Sequence, residues 1–250
     1  ALRSTLVFAA IAGPASFAFM SIKVAIPRLV PFYADPWLID FDRFISFGVH
    51  PWQITHAFFG PIATRVIDIG YSLWFVALTV ASLWVSFDRN QRFQIKSAIA
   101  YMLTWILLGN VLAIALSSVG PIFYKDFFGD QVFVPLMERM DAAPNVLLIR
   151  EYLLQNYGQE VLGSGISAAP SLHVAVTMLL YLMAKERFGH GLVCWLTLGY
   201  LLLILIGSVH LAWHYLVDGL IAMALTIPIW HLSERLVSRL TRQSIGAESP

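Results

Sequence analysis

The sequence predicts an all-α integral membrane protein with six transmembrane helices plus an interfacial or re-entrant helical segment. Three observations predict it. Of the 250 residues, 58% are hydrophobic and only 12% charged, whereas soluble domains carry about 25% charged residues. Mean hydropathy is +0.73. Six stretches reach the length of about 20 mostly apolar residues that a helix needs to cross a bilayer.

The first span is read at 4–22, within "ALRSTLVFAAIAGPASFAF". It lacks a strongly basic start and runs on into "MSIKVAIP", which reads as a retained helix rather than a cleaved signal peptide. A long segment, 23–67, follows. Within it 44–63 is apolar but broken by Gly48, Pro51, Gly60 and Pro61, and it carries His50 and His56. That pattern suits an interfacial or re-entrant helix, buried against protein wherever it enters the bilayer. Spans two and three are placed at 68–86 and 98–119. A second long segment, 120–165, leads to spans four, five and six at 166–184, 191–209 and 213–232. One membrane-embedded domain over 1–250 is expected, with a core of about 37–232 and a cytoplasmic tail at 233–250.

Charge sets the orientation. The short loops and the tail hold Arg89, Arg92, Lys96, Lys185, Arg187, Arg235, Arg239 and Arg242. By the positive-inside rule these face the cytoplasm, with both termini, and the two long segments lie on the external or lumenal side. With a formal net charge of +1 and no basic block outside those loops, nothing recommends nucleic acid as a partner. Cys194 is the only cysteine, so no intrachain disulfide is possible.

This topology brings three polar stretches to one face: "SSVGPIFYK" after span three, "PSLH" at the start of span four, and "GSVHLAWHYLVDG" between spans five and six. In "HYLVD", His214 and Asp218 are four apart and share a helix face. An aspartate at a helix end in a bilayer costs up to about 2.5–3.5 kcal/mol and usually marks a site. Its carboxylate can fix the His214 tautomer and leave the other ring nitrogen as nucleophile, base or ligand. Read as structure alone, the pair would merely tie span five to span six. In "PSLH", Pro170 suits a first helical turn, whose free N–H groups attract an anion; Ser171 adds a hydroxyl there, or simply caps the helix. His173 could give a proton to a leaving oxygen.

"SAAPSLHVA" followed by "SVHLAWHYLVDGLIA" resembles the second and third signature motifs of the type 2 phosphatidic acid phosphatase superfamily, whose membrane members have a six-helix core. The leucine of "PSLH" and the tandem "HLAWHYLVD" resemble the aureobasidin-resistance, or inositol phosphorylceramide synthase-like, branch. "IDFDRFISFGVHPWQ" and "SSVGPIFYKDFFG" are similar to that branch as well. The resemblance implies that His214 is the nucleophile taking the phosphoryl group, that Asp218 orients it, and that His173 is the acid and later the base. It implies no cofactor and no metal, a lipid donor, a lipid or alcohol acceptor, and the bilayer as surroundings.

The chain also departs from the phosphatase pattern. Val132 and Phe133 occupy the Arg-Pro places of the first motif, and Ser208 stands where the third motif has arginine. Other groups must meet the phosphate charge; Lys125 is the first candidate, with Ser208 beside it. Tyr124, His210 and Arg150 are candidate substrate contacts, and Arg139 is a weaker one. The expected function is a lipid phosphotransferase moving a phosphate-containing head group, with a lipid phosphate phosphatase as alternative. A membrane haem protein with His173 and His214 as axial ligands is an alternative of another class. A transporter would show polar residues at the midplane of several helices, and apart from Asn110 and Ser117 those are scarce.

Overall fold

The computed structural model describes residues 18–247. Among them the chain is helical and has no strand. The elements are α1 (18–29), α2 (Asp35–Ile45), α3 (Pro51–Phe58), α4 (Pro61–Ser72), α5 (Trp74–Phe87), α6 (Gln91–Ile106), α7 (Ala113–Ala115), α8 (Tyr124–Phe128), α9 (Val134–Met137), α10 (Pro144–Gln155), α11 (Leu172–Phe188), α12 (Leu192–His210) and α13 (Leu216–Ala247). Among the described residues four helical stretches are long and apolar enough to cross a membrane: Pro61–Phe87, Gln91–Ala115, Leu192–His210 and Leu216–Leu240. The protein is a multi-pass integral membrane protein.

Span five falls where the hydropathy puts it, and the other boundaries move for local reasons. The first span lies outside the described residues except for 18–22, which open α1. Span two begins earlier, because Pro61 starts α4 and the helix carries on through Leu73 into α5. Span three contains a π-helical turn, Leu107–Leu112, of the kind often found at functional sites. Span four is corrected at its start: residues 166–171 are non-helical, and α11 begins at Leu172 with Ser171 as N-cap, giving 17 residues. Within the expected tail, α13 continues as helix to Ala247.

The segment 44–63 is helical in pieces, not along its whole length. It comprises the end of α2, a turn with positive φ at Phe47 (56°) and Gly48 (88°), helix α3, and an extended break at Phe59 and Gly60 before α4. Prolines explain the fragmentation. Pro36, Pro51, Pro61, Pro135 and Pro144 each stand in the first turn of a helix, where the missing N–H costs nothing and the fixed φ favours a new helix start.

Helix α11 is central and packs against α12, α13 and α6, while α4 lies on α12 and α10 on α4. Three loops are stitched together where α11 and α13 begin. Ser118 accepts at its carbonyl from the Ala168 N–H (3.0 Å) and at its hydroxyl from the Ala169 N–H (2.9 Å). The Ile122 N–H donates to the Ala212 carbonyl at 2.9 Å. Gly120 makes this approach possible: its φ is +82°, and a Cβ there would lie 2.7 Å from the Trp213 carbonyl. The short helices α8 to α10 form a cap close to these loops: the Arg150 guanidinium of α10 donates to the Ile122 carbonyl at 3.1 Å.

Candidate active site

His173 and His214 face one cavity of about 240 Å³. Their ring centroids are 6.1 Å apart with planes inclined at 57°. The sequence accounts for both placements. Ser171 caps α11 by accepting the Val174 N–H at 3.4 Å, which sets His173 in the first turn. The ring stacks on Tyr71 of α4 at 4.8 Å, and Trp74 of α5 packs against it at 4.4 Å while donating its Nε1–H to the His173 carbonyl. His214 stands in the short turn between α12 and α13, its N–H held by the Ser208 carbonyl at 3.0 Å.

Asp218 lies behind His214. Its Oδ2 is 3.6 Å from His214 Nδ1, an ion-pair distance just beyond a hydrogen bond, and it accepts the Tyr215 N–H at 3.1 Å. Asp218 is fully buried, and its Oδ1 and His214 Nδ1 have no other partner among the described residues. The His214 ring also approaches the Ala168 backbone, and a small ring rotation would close the Nδ1–Asp218 bond and put the ring's lone pair on Nε2. The Asp218 carbonyl also accepts the Ser171 N–H at 3.3 Å, so the two histidine-bearing helix starts are tied directly together.

The structure brings together His173, His214 and Asp218 and places the other expected contacts elsewhere. Ser171 is fully buried in its capping role, off the cavity wall. Ser208 is buried, its hydroxyl donating to the Ile204 carbonyl at 2.6 Å, because a hydroxyl in a helix interior satisfies itself four residues back. His210 is enclosed by Thr55 and Thr64 and stacked on His56 at 3.7 Å. Tyr124 is buried against Phe128 and Phe133. Arg150 pairs with Asp126 and with the Ile122 carbonyl. Lys125, on α8, is exposed and does not line the cavity.

The cation on the cavity wall, among the described residues, is Lys23 of α1. Gly165 lets it in: a Cβ at that position would come within 2.6 Å of the Lys23 backbone, so the loop before α11 can lie directly on α1. Sequence reasoning missed Lys23, and a lone lysine at the end of an apolar stretch gives no sign of where it will point. It also missed two aspartates that hold the site from outside. Asp35 accepts the N–H groups of Val119 (3.0 Å) and Gly120 (2.8 Å) and the Tyr215 hydroxyl (2.9 Å). Asp42 accepts the N–H groups of Leu216 and Val217, both at 2.8 Å, and thereby caps α13 from another element. Burial raises both carboxyls, that of Asp42 to about 7, against the pull of these hydrogen bonds. The run "ADPWLIDFD" holds three acids, Asp35, Asp40 and Asp42, and only the folded chain shows that Asp35 and Asp42 are the buried ones, at 0% and 4% exposed.

Fold and site together define a helical membrane protein whose cavity pairs two imidazoles, one of them backed by a buried carboxylate. The chain belongs to the PAP2 superfamily, whose family description matches residues 36–232. Members of that superfamily are phosphatases or phosphotransferases acting on phosphate esters. No curated protein and no solved structure gives a significant match.

Proposed function

We propose that the protein is a lipid phosphotransferase that moves a phosphate-containing head group between lipids through a phosphohistidine, at the external or lumenal membrane face. The observation that carries this reading is the pair His173 and His214, 6.1 Å apart on one cavity wall, with Asp218 behind His214. That spacing suits a phosphorus atom between the two rings. His214 attacks it, and the P–O bond to the departing lipid alcohol breaks as His173 delivers a proton to that oxygen. The acceptor's hydroxyl then gives its proton to His173 and its oxygen attacks the phosphohistidine, freeing His214. Acid and base help of this kind is worth about 10²–10⁴ in rate. Lys23 is the group we assign to the phosphate charge, in place of the family's missing arginine and lysine.

One cation suits a singly charged diester better than a dianionic monoester, and this favours transfer over hydrolysis. Membership of the superfamily supports phosphate chemistry over the haem alternative. The basic loops at the end of the bundle remote from the cavity support the external placement. The test offers purified protein a labelled glycerophospholipid diester and phosphatidic acid, each with and without ceramide or diacylglycerol. Acceptor-dependent transfer from the diester is expected, and none from the His214→Ala variant. Faster phosphate release from phosphatidic acid than any transfer would make the protein a phosphatase.

A further inference from the structure

Asp68 lines the same cavity, and neither the histidine pair nor the family motifs account for it. It is 1% exposed. Its Oδ2 accepts the Asn145 N–H at 3.2 Å and lies 3.5 Å from Arg65 Nη1. The Val146 N–H and the Asn145 side-chain amide also approach the carboxylate, but Oδ1 accepts no well-formed hydrogen bond among the described residues. A buried carboxylate oxygen left unpaired is costly, and such atoms persist where a ligand brings the missing donor.

The position of Asp68 says which part of a ligand that would be. It stands three residues before Tyr71, the ring stacked on His173, so it shares the same face of α4 about 4.5 Å further along the axis. The displacement is towards the first turn of α10, which carries Asn145. A diester held at the two imidazoles has its head group on one side of phosphorus and its apolar chains on the other. Hydrogen-bond donors on such a lipid belong to its head group, so the Asp68 carboxylate suits the head-group side of phosphorus.

We propose that Asp68 is a specificity-determining residue whose Oδ1 accepts a hydrogen bond from an O–H or N–H donor on the substrate's head group. The proposal rests on the phosphohistidine reading of the cavity. A head group with no such donor, such as a trimethylammonium, leaves Oδ1 unsatisfied, and sites built to bind a donor reject analogues lacking it strongly.

The test measures binding of short-chain phosphatidylglycerol, phosphatidylethanolamine and phosphatidylcholine to the His214→Ala protein in detergent, with and without Asp68→Ala. Where Asp68 is intact, one or both donor-bearing lipids bind about tenfold or more tighter than phosphatidylcholine, the scale of a hydrogen bond to a charged group. Asp68→Ala brings that ratio to within about twofold. Asp68→Leu, closer in volume and equally without an acceptor, serves if the alanine variant does not fold. Asp68→Asn keeps an acceptor oxygen but no charge: a retained preference for phosphatidylglycerol identifies a hydroxyl, and a lost preference for phosphatidylethanolamine identifies an ammonium. A protein that shows no preference, or one whose preference survives both Asp68→Ala and Asp68→Leu, overturns the proposal. Turnover tests the underlying reading separately, since normal transfer by His214→Ala would remove the phosphohistidine whatever Asp68 binds.

Discussion

A phosphate entering this cavity brings negative charge among aromatic and aliphatic side chains, where an unpaired charge is expensive and a nearby cation correspondingly effective. Lys23 is the lysine placed to meet it. We expect Lys23→Gln to lower kcat/KM about 100-fold, on the scale of removing one preorganised donor from a transition state. Lys125→Gln should stay within about twofold, because that side chain is exposed and off the cavity. Radiolabelled head-group transfer by the two purified variants checks both, and the reverse ranking would restore Lys125 to the site. The contrast also explains what could be read from the sequence. His214 and Asp218 are legible because their relation is local, four residues on one helix face. His173 is legible because a proline and a capping serine fix its turn. Lys23 depends on a contact between residues 23 and 165 that only the folded chain makes. Lys125 was suggested by its nearness in sequence to "GPIFY", a nearness the turn into α8 undoes.

At the scale of elements, the long helices were legible from hydropathy and the short ones were not, since four to twelve residues between prolines give too little periodicity to read. Those short elements nonetheless position the chemistry. Asp42 reaches from α2 to the first N–H groups of α13 and so fixes the turn carrying His214. Burial raises its carboxyl to about 7 in the folded protein, from about 3.9 in an unfolded chain. The folded state thus favours the protonated form. Stability from this group is fully present below about pH 4 and is lost as pH rises through about 7. Asp42→Asn should flatten this part of the stability profile, as measured by thermal melts in detergent between pH 4 and 8. An unchanged slope would show that Asp42 does not titrate in that window.

At the scale of the whole molecule, the two ends of α11 do different work. Its start carries His173, and its last turns carry Glu186, which pairs with Lys96 of α6. Lys96 also pairs with Glu234 of α13 at 3.1 Å and lies over the Trp230 ring at 4.0 Å. Arg187 holds Asp88 of the loop between α5 and α6 at 2.7 Å. Residues 173 and 186 are about 20 Å apart along a straight helix, two-thirds of a hydrocarbon core of about 30 Å. The ion-paired end therefore belongs near one membrane surface and the histidines towards the other. By the positive-inside rule the basic residues at the paired end favour the cytoplasm for it, and in that orientation the capped cavity would open to the outside. Cys194 is the only cysteine and is buried, so a Cys194→Ser background accepts single reporter cysteines. With Glu160→Cys near the cap and Arg89→Cys in the loop between α5 and α6, a membrane-impermeant maleimide applied to intact cells should label only the first. Arg89→Cys should react after permeabilisation. Labelling of Arg89→Cys in intact cells, with Glu160→Cys protected, would invert the protein and move head-group transfer to the cytoplasmic leaflet.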